Sequence, residues 1–205
     1  MSSVFWVRWF KRPRAAVLHA RTVFLALVAA LATLLCALPA AAQAPELMSF
    51  EVERNEDGVT LNYAVNFELP RSVEDALQKG VPLYFLAEAE VYRSRWYWRD
   101  KRMAQASRSF RLTWQPLTRR YRVTLGGLSQ SYERMDEALA TIQRASHWKV
   151  ADANQLDDDA RHYVEFSFRL DTSQLPRPMQ IGFGGQADWS LQLERSARVP
   201  DLPGR

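Results

Sequence analysis

The sequence predicts a mainly β domain: an antiparallel β-sandwich, Ig-like or related, of about seven or eight strands with one short and one longer helix. Three observations predict it. Through most of the chain apolar residues alternate with polar ones at a period of two, as half-buried strands require because successive side chains face opposite ways. Turn residues separate these runs at short intervals, and only two stretches, after Ser72 and around Met135, carry helical signals instead. Strand-rich chains with short turns bury both faces as a sandwich or a barrel, and the sandwich is the expectation here.

The first segment stands apart from that pattern. Arg8, Lys11, Arg12, Arg14 and Arg21 precede the apolar run Thr22 to Leu38 with no acidic residue among them, and Ala40-Ala41-Ala42 follows. A positive n-region, an apolar h-region and an A-x-A site predict a Sec signal peptide over residues 1–42, cut after Ala42. A cut after Ala44 would place Pro45 next to the scissile bond. An uncleaved anchor is the alternative, although 17 apolar residues fall short of the roughly 20 that span a bilayer. Cys36 follows Leu35 rather than a small residue, which argues against a lipid anchor, and no other cysteine exists. The mature domain is therefore expected to stand without disulfides.

Charge must be read after that removal. The chain has 27 Lys and Arg against 23 Asp and Glu, and the leader carries five of the bases and none of the acids, so the mature part is close to neutral at −1. The basic pI gives no reason to invoke nucleic acid. Residues 43–199 read as a single β-rich exported domain, followed by a Pro- and Gly-rich tail, 200–205, expected to be disordered.

Met48, Phe50 and Val52 form the first alternating strand. Asn55-Glu56-Asp57-Gly58 turns it into a second, with Val59, Leu61, Tyr63, Val65, Phe67 and Leu69 on one face. Ser72 is placed as N-cap of a short helix with Asp75 completing a capping box and Gly80 stopping it. A long strand follows, with Val81, Leu83, Phe85 and Val91 in one phase and Tyr92, Trp96 and Trp98 in the other, which predicts a bulge or change of sheet near Arg93. Phe110, Leu112 and Trp114 alternate next, residues 115–118 turn, Tyr121, Val123 and Leu125 return, and Gly126-Gly127 ends that hairpin. Met135, Ala138, Leu139, Ile142 and Ala145 sit at helical spacing, with Asp136 and Glu137 at the start and Arg144 near the end. Residues 151–160 read as a loop with Asp157-Asp158-Asp159. Strands resume at Val164 to Leu170, at Ile181 to Phe183, and through Trp189, Leu191 and Leu193.

The run Leu170 to Gln180, with Asp188-Trp189 after it, resembles the signature of the exported bacterial domain-of-unknown-function family numbered 4390. Tyr121-Arg122, the Gly126-Gly127 pair, Glu137-Ala138-Leu139 and Trp148 fit the same pattern, so the resemblance spans roughly Leu47 to Val199. It implies a periplasmic protein of a Gram-negative cell envelope and brings no catalytic residues. Read physically, Pro176 and Pro178 fix an extended crossover between strands.

No catalytic constellation emerges. His147 and His162 are the histidines left after processing, without the three or four ligands a zinc site needs, and neither metal nor cofactor is expected. No Gly-x-Ser-x-Gly elbow occurs in the mature chain, and Gly182-Phe183-Gly184-Gly185 lacks the Lys-Ser/Thr of a P-loop. Glu88 and Glu90 share a strand face and could serve as the paired carboxylates of a cell-wall glycan-acting enzyme. Solvent-facing alternation explains them more simply.

Tyr92 to Arg122 holds ten bases against Asp100 alone, interleaved with seven aromatics. Arg93, Arg95, Trp96, Tyr97, Trp98 and Arg99 are the candidate binding residues, and the partners that fit are an anionic envelope component, by peripheral membrane contact, or a periplasmic protein. The simpler alternative is a solvated strand face balanced by the acid-rich stretch Glu133 to Asp171. The expectation is a non-enzymatic interaction module.

Overall fold

The computed structural model describes residues 44–157, 159–175 and 189–202, all of them in the unit Ala42–Arg205. The leader, the element expected at Ile181 to Phe183, the loop Gly182 to Gly185 and the end of the tail lie outside the described residues.

In chain order the elements are β1 (Glu46–Asn55), β2 (Gly58–Asn66), α1 (Arg71–Gln78), β3 (Leu83–Arg93), β4 (Lys101–Gln115) and β5 (Arg120–Leu125). There follow β6 (Leu128–Tyr132), α2 (Met135–Gln143), β7 (Arg144–Asp152), β8 (His162–Leu170) and β9 (Gln192–Arg198). The nine described strands form two antiparallel sheets, β1-β2-β7 and β6-β5-β4-β3-β8-β9. The fold is sandwich-like, as the alternation predicts, and it is not closed into a barrel.

The two sheets meet through one face of each strand. Val59, Leu61, Tyr63 and Val65 of β2 oppose Phe85, Ala87, Ala89 and Val91 of β3 and Val164, Phe166 and Phe168 of β8, all buried. Tyr63 packs on Phe166 at 4.8 Å between ring centroids and touches Trp148 edge-on at 6.1 Å, while Phe67 lies 5.4 Å from Phe85. Truncating such a buried ring costs about 3–5 kcal/mol, so these contacts hold a domain that has no disulfide among its described residues.

The β1–β2 turn shows how closely the backbones approach. Asn55 accepts the Asp57 amide on its side-chain oxygen at 3.0 Å, and Gly58 then takes φ +134°. A Cβ at Gly58 would lie 2.1 Å from the Ala151 carbonyl oxygen.

Several elements differ from the sequence expectation. Pro70, not Ser72, is the N-cap of α1: its carbonyl accepts from the Val73 and Glu74 amides, and its φ of −57° and ψ of 148° hold the extended geometry that a cap needs. Gly126-Gly127 does not end the hairpin but turns β5 into β6. α2 stops at Gln143, and Arg144 and Ala145 already belong to β7, a strand the sequence reading missed. Trp189 and Leu191 precede β9 rather than alternate within it. The bulge near Arg93 is present, between Val91 and Tyr92. Beyond Arg93 the chain leaves the sheet, however, so Trp96 and Trp98 lie on a loop and not on a shifted strand.

Candidate binding surface: the aromatic tip loop

Residues 94–100 join β3 to β4, in the middle of the six-stranded sheet, and project from its end. Both feet are fixed. Arg93 faces Lys101 across the hairpin, the Ser94 amide donates to the Arg161 carbonyl at 2.9 Å, and the Arg93 guanidinium pairs with Asp157 at 2.5 Å. The bulge skips Met103 in the register, so Arg102 stands opposite Tyr92 on the outer face while Ala104 stays inside opposite Val91.

Asp100 closes the loop on itself. One carboxylate oxygen accepts from the Arg95 amide at 2.9 Å and the other from the Tyr163 hydroxyl at 2.8 Å. The Arg95 amide, then the Tyr163 hydroxyl, hold the Asp100 carboxyl below the usual carboxylate range. Tyr163 in turn stacks on Tyr92 at 5.4 Å, and Tyr92 donates to Glu90 at 2.6 Å.

On this frame three consecutive rings face solvent: Trp96 is 93% exposed, Tyr97 70% and Trp98 72%. Trp96 and Tyr97 pack edge to face, 5.0 Å apart, so they support each other rather than the core. Arg95, Arg99 and Lys101 flank them in the chain; the Arg95 charge acts on Asp100, but no carboxylate among the described residues lies within ion-pair distance of any of the three. Three adjacent exposed aromatic rings are costly to hydrate, and with cations beside them in the chain they suit a wet, anionic interface.

The long basic stretch resolves into parts with different roles. Arg93, Arg102 and Arg120 are satisfied within the molecule by Asp157, Glu90 and Glu133. Arg119, Arg120 and Arg122 lie at the opposite end of β4, where Arg120 pairs with Gln115 and Arg122 with Thr113, away from the tip. Of the sequence candidates, the fold gathers Arg95, Trp96, Tyr97, Trp98 and Arg99 on one loop and leaves Arg93 at its foot. Lys101 joins them.

Glu88 and Glu90 line an open groove of about 470 Å³ on the outer sheet face with Glu165, Glu194, Ser167 and Ser196. Arg169 pairs with Glu88 and Arg102 with Glu90, each at 2.6 Å. The Tyr92 hydroxyl, first, and Arg102 pull the Glu90 carboxyl below its ordinary value. A glycosidase's general acid needs the opposite shift.

His147 is exposed on β7 and His162 is buried at the start of β8, 3% exposed. Among the described residues no group of three or more His, Cys, Asp or Glu is placed to hold a metal. No described helix is long and apolar enough to cross a membrane.

A family model described as a domain of unknown function (DUF4390) matches residues 42–198. No curated protein and no solved structure matches the chain.

Proposed function

Because the chain belongs to the DUF4390 family, whose description assigns no activity, its role has to be argued from the fold, and we propose a non-catalytic interaction module that works outside the cytoplasm after removal of residues 1–42. Its tip loop contacts an anionic envelope component, a lipid headgroup layer being the chemistry it fits best. One observation carries this reading: Trp96, Tyr97 and Trp98 project together into solvent beside three cations that form no ion pair with a described carboxylate, on a loop whose feet are tied down. Rigid amphipathic rings seat at the headgroup level, and the cations add attraction to anionic lipid.

The ion pairs on Glu88 and Glu90 and the lowered Glu90 carboxyl weigh against the alternative of a cell-wall glycan-acting enzyme.

The test is binding of the protein lacking residues 1–42 to vesicles, followed by tryptophan emission. Phosphatidylglycerol vesicles should shift that emission to the blue at low salt, and phosphatidylcholine vesicles should not. Replacing Arg95, Arg99 and Lys101 with Gln should weaken binding about a hundredfold, at roughly 1 kcal/mol per cation, and added salt should mimic the loss. Binding that ignores both salt and the substitutions, or no binding, would overturn the reading. N-terminal sequencing of the exported protein checks the cut: Gln43 is expected first.

A further inference from the structure

β6 ends the six-stranded sheet, and its outer edge is open among the described residues. Gly126 and Gly127, at φ +54° and +88°, make the two-residue turn that joins it to β5. Such a turn closes on a hydrogen-bonded pair, here Leu125 with Leu128. Pairs of that kind recur at every second residue, so Val123 bonds Gln130 and Tyr121 bonds Tyr132. The amides and carbonyls of Ser129 and Ser131 therefore point the other way, off the edge of the sheet. No described backbone group outside the strand ladders bonds to them.

An open edge is a template for another strand, and proteins guard theirs with charge, proline or a bulge. β1 carries Glu51 and Glu53, β9 carries Glu194 and Arg195, and β7 carries Lys149 and slips register twice. β6, with the sequence Leu-Ser-Gln-Ser-Tyr, has no charge, no proline and a regular register. It also reads alike from either end, a Ser-Gln-Ser centre between two larger apolar side chains. An antiparallel copy with Gln130 facing Gln130 sets Ser129 against the partner's Ser131 on both sides of the axis. Both serine pairs fall in the hydrogen-bonding phase, so every outward amide and carbonyl of the two strands finds a partner. Leu128 is 81% exposed and borders an open groove of about 340 Å³ with Val123, Leu125 and Thr141. In this register it meets the partner's Tyr132 in a pair without hydrogen bonds, where side chains approach most closely. Glu133, already paired with Arg120 at 2.7 Å, falls opposite the partner's Gly127, so no like charges meet.

We propose that β6 pairs antiparallel with β6 of a second copy of this chain, about a twofold axis at Gln130, and so runs one sheet through both protomers. The interface is isologous, each strand giving the same residues that it receives. It is independent of the tip loop, which leaves the sheet from β3 and β4. Five residues a side bury little area, so the dimer is weak and forms as the protein is concentrated.

The test is sedimentation of the protein, as purified from its cells, from about 1 µM to about 1 mM, where a reversible monomer–dimer equilibrium is expected. Hydrogen exchange followed by NMR over the same range should slow at the Ser129 and Ser131 amides as concentration rises, but not at Gln130, whose amide bonds within its own chain. Gln130→Lys puts two like charges across the axis at an exposed position. It should weaken the dimer about tenfold or more while the dilute protein melts where wild type does, and Gln130→Glu should act alike. An equimolar mixture of the two variants should recover the dimer, because Lys then faces Glu. A dimer that both variants form as readily as wild type, or a mixture that stays monomeric, would overturn the proposal. So would a wild type that is monomeric throughout: slow serine amides would then mean an edge covered from within the chain, and fast ones an edge left to some other protein.

Discussion

The Tyr163 hydroxyl donates to Asp100 at 2.8 Å across 63 positions of sequence, so the tip loop is tied to β8 as well as to its own strands. Removing that bond in Tyr163→Phe, or weakening it in Asp100→Asn, should free the loop without disturbing the core. Trypsin should then cut at Arg95 and Arg99 several times faster while the melting curve stays in place. Unchanged cleavage in both variants would show that the bond does not restrain the loop.

Tryptophans in the same chain should respond oppositely to truncation. Trp96→Ala and Trp98→Ala should change stability by no more than about 0.5 kcal/mol, since both rings are exposed, whereas Trp148→Ala should cost about 3–5 kcal/mol by urea denaturation. A large loss at Trp96 would mean that the tip packs against something.

Buried His162 sets an acid limit. Burial, and then Arg54 and Arg93, push its pKa below the ordinary histidine value, while Asp157 and the Ala160 carbonyl oppose them. As pH falls below about 6.5 the unfolded chain takes up the proton before the folded one. The native state is therefore fully stabilised above about pH 6.5 and loses stability as pH drops from there towards the folded pKa. Stability measured at successive pH values should decline over that window in wild type and stay flat in His162→Leu. Asp157→Asn should lower the His162 titration midpoint further, as read by NMR.

Tyr92 is pushed up to about 12, chiefly because its hydroxyl donates to Glu90. In an ultraviolet alkaline titration its ionisation should come late, and Glu90→Gln should bring it down towards the ordinary tyrosine value near 10. Equal midpoints in both proteins would rule the hydrogen bond out in solution.

Gly58→Ala should destabilise by more than about 1 kcal/mol, because φ +134° disfavours any side chain and the added carbon meets the Ala151 carbonyl. Thermal denaturation checks it. An unchanged melting temperature would mean that β2 and β7 can separate there at no cost.

Where alternation is unbroken, the sequence was a sufficient guide: β2 and β8 follow directly from it, as do β1 from Phe50 on and β3 as far as Val91, whereas Met48, expected on the face of Phe50 and Val52, is exposed because the register shifts between Leu47 and Ser49. β7 was not legible because its register against β2 slips twice, between Val59 and Thr60 and between Leu61 and Tyr63. His147 takes φ +50° in the same segment, and no period of two survives such breaks. β6 is hidden for another reason: Leu128, Ser129, Gln130 and Ser131 are all exposed, so it has no apolar face to announce it. At the candidate surface the residues were readable but their exposure was not, because Trp96 and Trp98 in alternation look the same whether they fill a core or stand clear of it. Arg108 shares the parity of Phe110 and Leu112 and lies opposite Ala87, so it turns inward from the basic stretch that the sequence groups it with.

The position of the tip on the central hairpin decides what happens to a force applied there. β3 is paired on both sides along nearly its whole length, with β4 from Leu83 to Arg93 and with β8 from Phe85 to Arg93. Pulling the loop away from the sheet along the strand axis would draw β3 and β4 together past β8 and β5. Their hydrogen bonds would then be loaded side by side, in shear, rather than peeled one at a time. A tether held by this loop would therefore be mechanically stiff, and it would let go of its surface before the sandwich came apart.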